Sequence, residues 1–377
     1  MTRCSIRTFF LAPLAALLLA AGAIHGVHGA ADSKDFPRLD RANLLSYRDN
    51  AGRTNPVATL ADWQKRRAEI VRGMELVMGK WPGAERRGAL DVKVEEEADC
   101  GTYVRRLITY ASEPGSRVPA YLLIPKETLA GKKPTAGILC LHPTDNTIGH
   151  KVVVGLGGKA NRQYAAELAE RGYVTLAPAY PLLANYQPDI KALGWESGTL
   201  KAAWDNSRGL DLLAALPFVD ARRGFGTIGH SLGGHNSVYT AVFDERIKVI
   251  VSSCGLDSYL DYYGGDAKNW QPERGWCQTR YMLKLADYRG RLAEIPFDFH
   301  EMIGALAPRV CFISAPLKDS NFRWQSVDQV AAAAAPVYKL HNQLGNLIVE
   351  HPDCDHDFPD AMRTRAYQLF DQHLRTK

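Results

Sequence analysis

The sequence has 377 residues, of which 46% are hydrophobic and 23% charged, and its formal net charge is +5. This composition is that of a globular protein, and the length is enough for one large hydrophobic core or two smaller ones. Because the positive charge is small and spread along the chain, with no basic run and no interleaved aromatic residues, the sequence does not indicate nucleic-acid binding.

The first thirty residues have the pattern of a secretory signal peptide. Arg3 and Arg7 precede an apolar run over residues 9–23, and small residues follow near Ala30. We therefore predict cleavage near Ala30 and a secreted or periplasmic protein with no membrane attachment after cleavage. A single membrane anchor is the alternative, although the run is short for a membrane span.

Residues 31–89 are predicted to form an N-terminal extension that contains one helix. Apolar residues recur with helical spacing between Thr59 and Met78, and Gly79 ends the pattern. We expect this helix to pack on a main domain formed by residues 90–377.

Within the main domain, three antiparallel strands are predicted first, at residues 90–97, 102–110 and 118–124. From residue 134 onwards short apolar segments alternate with helical ones. The predicted strands are 136–141, 173–179, 225–228, 249–253, 310–315 and 347–350, and the predicted helices are 161–171, 199–216, 232–243, 327–342 and 361–374. This alternation predicts an α/β fold with a mostly parallel, doubly wound sheet that helices cover on both faces.

The segment 256–299 interrupts the alternation and is rich in aromatic residues. Seven tyrosines and tryptophans lie in it: Tyr259, Tyr262, Tyr263, Trp270, Trp276, Tyr281 and Tyr288. An insertion at the carboxyl end of a strand is a common place for a lid or a substrate-binding wall. The rings could equally form a small core of the insertion itself, and both interpretations stay open.

The pentapeptide Gly229-His230-Ser231-Leu232-Gly233 lies between a predicted strand and a predicted helix. This is the G-x-S-x-G pattern of a nucleophile elbow, in which a sharp turn exposes a serine hydroxyl at the tip of a strand. Glycine on both sides lets the strand and the helix pass close together. Ser231 is therefore the candidate nucleophile.

The elbow, the order of strands and helices and a histidine near the carboxyl end resemble the α/β-hydrolase superfamily over residues 90–377. Within it the chain is similar to the dienelactone-hydrolase and acetyl-xylan-esterase branches. The residues Phe297-Asp298-Phe299-His300-Glu301, followed by Ala307-Pro308-Arg309, also resemble glucuronoyl esterases. The resemblance implies a catalytic triad in the chain order serine, acid, histidine, with no cofactor and no metal.

His356 is the candidate base, because it lies between the last predicted strand and the last helix. His351 is closer to the strand and is its rival. Two histidines and three aspartates between residues 351 and 357 could bind a cation, but the resemblance implies that none is needed.

Asp319 is the candidate acid, since it follows the predicted strand 310–315. Asp257, just after the strand that follows the elbow, is the alternative, because some hydrolases take the acid from that position. Asp328 lies inside a predicted helix and is interpreted as a solvated or capping residue.

Two backbone N–H groups are expected to form the oxyanion hole. Leu232 directly follows the nucleophile and supplies one. The loop after the strand 136–141 supplies the other, and because Pro143 has no N–H, Thr144 is the candidate there.

Two further patterns carry no chemistry in this interpretation. Residues 155–160 match G-x-G-x-x-A, but no acid follows the next strand as a dinucleotide site requires, so we predict a loop beside the pocket. The six cysteines after the signal peptide contain no C-x-x-C, and their pairing cannot be deduced; Cys140 and Cys311 lie in apolar strand patterns and are predicted to be buried.

The expected function is a secreted serine esterase that acts on a small-molecule or carbohydrate ester through an acyl-enzyme. A peptidase or a thioesterase with the same triad is the enzymatic alternative. A catalytically silent hydrolase fold that serves as an exported binding module is the alternative from another class.

Overall fold

The computed structural model describes residues 38–131 and 134–375. The predicted signal peptide lies outside the described residues. These described residues form one compact unit. No helix among the described residues is both long enough and apolar enough to span a membrane.

A nine-stranded mixed sheet organises this unit, and a two-stranded ribbon precedes it. The ribbon consists of β1 (Ser46–Arg48) and β2 (Thr54–Pro56); the sheet strands are β3 (Lys93–Asp99), β4 (Tyr103–Glu113), β5 (Ser116–Pro125), β6 (Gly137–Leu141), β7 (Val174–Pro178), β8 (Phe225–His230), β9 (Ile247–Ser253), β10 (Val310–Ser314) and β11 (Leu347–Glu350). Their order across the sheet is β11-β10-β9-β8-β6-β7-β5-β4-β3.

The sheet has a parallel part and an antiparallel part, as predicted. Strands β6 to β11 pair in parallel, whereas β3, β4 and β5 pair antiparallel with one another and β5 joins the parallel part through β7. Every residue of β6, β7, β8 and β10 is buried, which fits their uninterrupted apolar sequences, since a parallel strand is covered on both faces.

In the part of the chain that the structure describes, eight α-helices accompany the strands: α1 (Leu60–Met78), α2 (Lys126–Leu129), α3 (Tyr164–Glu170), α4 (Gly198–Ala215), α5 (Leu232–Phe243), α6 (Phe299–Ala305), α7 (Trp324–Leu340) and α8 (Asp360–Leu374). Buried residues of α3 and α8 form one hydrophobic cluster, and those of α1, α4, α5, α6 and α7 form another. Helices thus cover both faces, and the doubly wound α/β architecture is confirmed.

The predicted helix 161–171 begins later than expected. Residues Ala160–Arg162 form a short 3-10 turn, and α3 starts only at Tyr164. The reason lies in tertiary contacts, because Asn161 and Arg162 turn toward the loop after β11, as described below.

The N-terminal extension packs against the main domain. Thr59 caps α1 through a reciprocal capping box with Asp62, and Trp63 and Met74 are fully buried in the larger cluster. Before α1, Arg41 forms an ion pair with Asp298, which also accepts hydrogen bonds from the Ser258 hydroxyl (2.9 Å) and the Tyr259 N–H (3.1 Å). The extension therefore contacts a residue that ties both ends of the insertion together.

The insertion 256–299 contains short 3-10 turns instead of regular helices or strands. Tyr259 and Trp270 are fully buried and pack edge to face, with ring centroids 5.7 Å apart, so part of the insertion forms its own core. The six described cysteines are free thiols, and Cys140 and Cys311 are buried as predicted.

Candidate active site

Ser231 lies at the sharp turn between β8 and α5 and has φ 55° and ψ −120°. A non-glycine residue in this region is strained by about 1–3 kcal/mol, and such strain is typical of functional turns. A Cβ on Gly229 would lie 2.1 Å from the carbonyl carbon of Gly233, and one on Gly233 would lie 1.9 Å from the Leu141 oxygen. Only glycine fits at either position, so the two glycines permit the turn that exposes Ser231.

Ser231, His356 and Asp319 form a continuous hydrogen-bonded row. The distance from His356 Nε2 to Ser231 Oγ is 2.9 Å, and from His356 Nδ1 to Asp319 Oδ2 it is 2.8 Å. An ionised carboxylate can only accept, so the His356 proton is assigned to Nδ1 and Nε2 accepts from the Ser231 hydroxyl. This tautomer leaves the lone pair of Nε2 directed at the serine proton.

The topology explains why residues so distant in sequence meet. Ser231 follows β8, Asp319 follows β10 and His356 follows β11, and these parallel strands end at the same edge of the sheet. Asp319 is fixed there by the N–H groups of Asn321 (2.8 Å) and Phe322 (3.2 Å), which donate to its Oδ1. Its side chain is 1% exposed, against 23% for His356.

The alternative residues lie in other places. The Asp257 carboxylate accepts a hydrogen bond from the Arg323 N–H at 3.1 Å, and burial raises its pKa well above the usual range, helped by the charges of neighbouring acids that include Asp319. His351 bonds the Ala315 carbonyl through Nδ1 (2.8 Å) and Asp328 through Nε2 (3.0 Å). Neither Asp257 nor His351 is part of the row.

The two predicted oxyanion donors differ in their surroundings. Leu232 is the first residue of α5, so its N–H lies at a helix N-terminus, where partial positive charge favours an anion. The Thr144 hydroxyl is 3.2 Å from the Tyr281 hydroxyl of the insertion. His142, just before Pro143, accepts from the Tyr180 N–H (3.0 Å), and burial lowers its pKa to about 4, so it supports this loop as a neutral ring.

Aromatic residues form an arc from the Thr144 loop to His356. The ring of Tyr281 is 5.1 Å from that of Trp276, Trp276 is 6.3 Å from Phe322, and Phe322 is 5.9 Å from His356. Two of these rings belong to the insertion. The insertion therefore forms a small core of its own and also packs beside the row through Trp276 and Tyr281, which are both buried; its role as a lid or substrate-binding wall stays a prediction.

Two buried side chains, His230 and Cys254, lie next to the row. The rings of His230 and His356 are 4.9 Å apart, and the pKa of His230 lies well below its usual value, chiefly through burial and further through the charge of Arg162. The Cys254 thiol donates to the Asp357 carbonyl at 3.2 Å, and burial, together with the Asp319 charge, raises its pKa. Both groups are therefore uncharged near neutral pH.

Two of the three aspartates in the acidic segment around His356 form ion pairs with other residues. Asp353 pairs with Lys318 (2.6 Å) and Asp357 with Arg162 (2.5 Å). Across residues 38–131 and 134–375, the one convergent set of possible ligand atoms is Cys254, Asp319 and His356, in which the Asp–His hydrogen bond already occupies two members. Two members of this set are thus the acid and the histidine of the hydrogen-bonded row.

Sequence reasoning missed Asn161, Arg162 and Asp357, which bond one another directly behind His356. Arg162 and Asp357 are 195 residues apart, so neither composition nor periodicity indicates the pair. The glycine-rich residues 155–160, which we predict to form a loop beside the pocket, lead directly into Asn161 but do not indicate this pair.

In comparisons with known proteins, the chain is similar to glucuronoyl esterases. A family profile described as "Glucuronyl esterase, fungi" matches residues 194–342. The chain is 20% identical to 4-O-methyl-glucuronoyl methylesterase 1 of Wolfiporia cocos over 84% of this chain and 78% of that one.

Solved structures are similar over nearly the whole length. A glucuronoyl esterase from Solibacter usitatus superposes with a TM-score of 0.69 at 21% identity. The aligned region includes 91% of this chain and 99% of the esterase chain. A carbohydrate esterase family 15 glucuronoyl esterase from Caldicellulosiruptor kristjansonii gives 0.63 at 18% identity and covers 90% of both chains. The predicted resemblance to glucuronoyl esterases is thereby confirmed, the fold is that of the α/β hydrolases, and these relatives support a carboxylic-ester hydrolase.

Proposed function

We propose that this protein is a serine esterase that cleaves carbohydrate-linked carboxylic esters, with Ser231 as nucleophile, His356 as base and Asp319 as the acid. The observation that carries the proposal is the row of two hydrogen bonds, 2.9 Å and 2.8 Å, at the tip of a strained elbow. A buried carboxylate, an imidazole with one free nitrogen and a hydroxyl in this order are the parts that nucleophilic catalysis needs.

In the first half-reaction Ser231 Oγ attacks the ester carbonyl carbon while its proton moves to His356 Nε2. The N–H groups of Leu232 and Thr144 donate to the oxyanion of the tetrahedral intermediate. As the intermediate collapses, the bond to the leaving alkoxide breaks, and the alkoxide takes the proton from Nε2. Asp319 stabilises the transient imidazolium and holds its orientation.

In the second half-reaction water takes the place of the alcohol. Nε2 accepts a proton from water as the oxygen attacks the acyl-enzyme, and it then returns the proton to Ser231 Oγ as the carboxylic acid leaves. The same residues thus serve twice, and no group beyond this chain and water is required.

The substrate class rests on the relatives. Several are named as glucuronoyl esterases, which act on esters of a sugar acid. We also propose export, on the pattern of residues 1–30.

The direct test compares wild type with Ser231→Ala on p-nitrophenyl acetate and on a methyl glucuronate. We expect the variant to lose at least about 10⁴-fold in kcat, because the nucleophile is removed while the binding surface stays. Equal rates would contradict the proposal. A fluorophosphonate probe that labels wild type and leaves Ser231→Ala unlabelled excludes a silent binding module.

A panel of substrates then separates the remaining alternatives. Acetylated sugars, methyl glucuronates, short acyl thioesters and peptides are compared by kcat/KM. A preference for thioesters or peptides over both kinds of sugar ester would replace the esterase by a thioesterase or peptidase on the same residues.

A further inference from the structure

A small ion-pair network lies directly behind His356 and belongs to none of the steps above. Arg162 Nη1 donates to Asp357 Oδ1 at 2.5 Å and to Asn161 Oδ1 at 2.7 Å. Asn161 Nδ2 lies 2.8 Å from both carboxylate oxygens of Asp357. The side chain of Arg162 is only 6% exposed, so this is a buried cation with one carboxylate as its hydrogen-bonded counter-charge.

The network holds the segment that carries His356. No helix or strand occupies the residues between β11 and α8, so contacts with other segments hold this loop. Before His356 these are the N–H groups of Leu317 and Lys318, which donate to the carbonyls of Pro352 and Cys354 at 3.1 Å. Arg162 Nη2 also contacts the His356 carbonyl at 3.5 Å, and the Cys254 thiol donates to the Asp357 carbonyl from the other side at 3.2 Å. The backbone that follows the Cα of His356 is thereby fixed to other parts of the chain at two successive carbonyls.

Placement of this backbone decides whether the row can form. The His356 ring must reach Asp319 and Ser231 at once, and a displacement of about 1 Å at a catalytic group can cost about 10²-fold in rate. We propose that Arg162 and Asn161, acting through Asp357, are positioning residues for His356, an inference that rests on the proposed function.

The network also sets the charge around the imidazole. The groups that face His356 are Asp319, Ser231, His230, Cys254 and the Arg162–Asp357 pair. Burial keeps His230 neutral and Cys254 protonated, so Asp319 and the pair carry the fixed charges. Removing Asp357 leaves a cation that opposes imidazolium, and removing Arg162 leaves an anion that favours it.

The experiment measures kcat, KM and the pH profile of kcat/KM on p-nitrophenyl acetate for Asp357→Asn, Arg162→Gln and Arg162→Lys. We expect kcat to fall about 10²-fold in the first two, with KM within about threefold of wild type, because the loss is in placement of the base and not in substrate binding. The acid limb of the profile should move to lower pH in Asp357→Asn and to higher pH in Arg162→Gln. Arg162→Lys should keep the wild-type acid limb and recover part of the rate, since the charge stays while the planar fork is lost.

Substituting Arg162 or Asp357 leaves the other charge without its partner, which can weaken folding. Two further variants keep the test decisive in that case. Asn161→Ala removes one support and leaves the ion pair, and we expect a fall of about threefold to tenfold in kcat without a change in melting temperature. Arg246→Gln is the matched control, because Arg246 also bonds Asp244 and Asp211 but precedes β9 at the opposite edge of the sheet; we expect its kcat to equal that of wild type.

The proposal is overturned if Asp357→Asn and Arg162→Gln are folded and stay within twofold of wild-type kcat, or if their acid limbs do not move in opposite directions. It is also overturned if Arg246→Gln loses as much rate as they do, since the effect would then be one of stability. Failure of the proposed function is recognised separately, because wild type and Ser231→Ala would then react equally.

Discussion

The chain contains two aspartate–histidine pairs five residues apart in sequence, at His351 and at His356, and they behave as opposites. Both ring nitrogens of His351 form hydrogen bonds within the protein, one with the Ala315 carbonyl and one with the Asp328 carboxylate. The Asp328 side chain is 49% exposed. His356 bonds a buried Asp319 with one nitrogen and directs the other at Ser231. The comparison teaches that the proposed role of base needs a histidine with one nitrogen directed at the serine and a carboxylate partner that is shielded from water.

The largest effect expected from this comparison is at the two histidines themselves. We predict that His356→Ala lowers kcat by about 10⁴- to 10⁶-fold, because no other group can take the Ser231 proton. The matched variant His351→Ala should keep wild-type kcat, since its nitrogens are already bonded. Steady-state rates on p-nitrophenyl acetate decide the matter, and equal losses in both variants would remove the distinction.

The two carboxylates provide the next largest contrast. Asp319→Asn is expected to lower kcat by about 10⁴-fold, because an asparagine amide can present its N–H to Nδ1 and so favour the wrong tautomer of His356. Asp328 is half exposed, and its ion pair with His351 contributes little to stability because solvent screens it. The variant Asp328→Asn should therefore keep wild-type kcat, and its free energy of unfolding should fall by less than about 1 kcal/mol. A normal rate for Asp319→Asn would assign the acid elsewhere.

The smallest effect on rate is expected for a substitution of Asp257. Its main effect should be on how the free energy of unfolding depends on pH. Because burial raises the pKa of Asp257 above its ordinary 3.8, the folded state binds the proton more tightly than the unfolded state does. The stability that protonated Asp257 contributes is therefore fully present below the unfolded-state pKa of 3.8. It is lost as pH rises through the higher pKa of the folded state. Asp257→Asn should therefore match wild type near pH 4 and be more stable at pH 8.

Chemical denaturation of Asp257→Asn and wild type at both pH values measures this difference, and kcat should stay within twofold. A large loss of activity in Asp257→Asn with a normal rate in Asp319→Asn would exchange the roles of the two acids.

Much of the fold could be predicted because the parallel strands are short apolar runs separated by amphipathic helices, so each element carries its own signal. Ser231, Asp319 and His356 could be nominated because each lies in the segment that follows such a strand. The choice between His351 and His356 needed tertiary structure, since it depends on which carbonyl and which carboxylate each ring meets. Arg162 and Asp357 gave no signal, because side-chain pairing across 195 residues leaves no periodic pattern in one sequence.

The ends of helices were harder to place for the same reason. The start of α3 was predicted at residue 161, where the local sequence favours a helix, but the side chains of Asn161 and Arg162 bond the loop of His356 instead. Contacts at the site thus outweigh local helix propensity at this boundary.

The contact between Arg41 and Asp298 has a practical consequence for anyone who shortens this protein. Asp298 joins the two ends of the aromatic insertion through Ser258 and Tyr259, and Arg41 is the guanidinium that neutralises it. A version trimmed to residues 90–377 would keep every strand of the large sheet and yet leave that carboxylate without its cation. The segment that carries Arg41 thus stabilises the aromatic insertion from outside it, so a shortened version needs to keep Arg41.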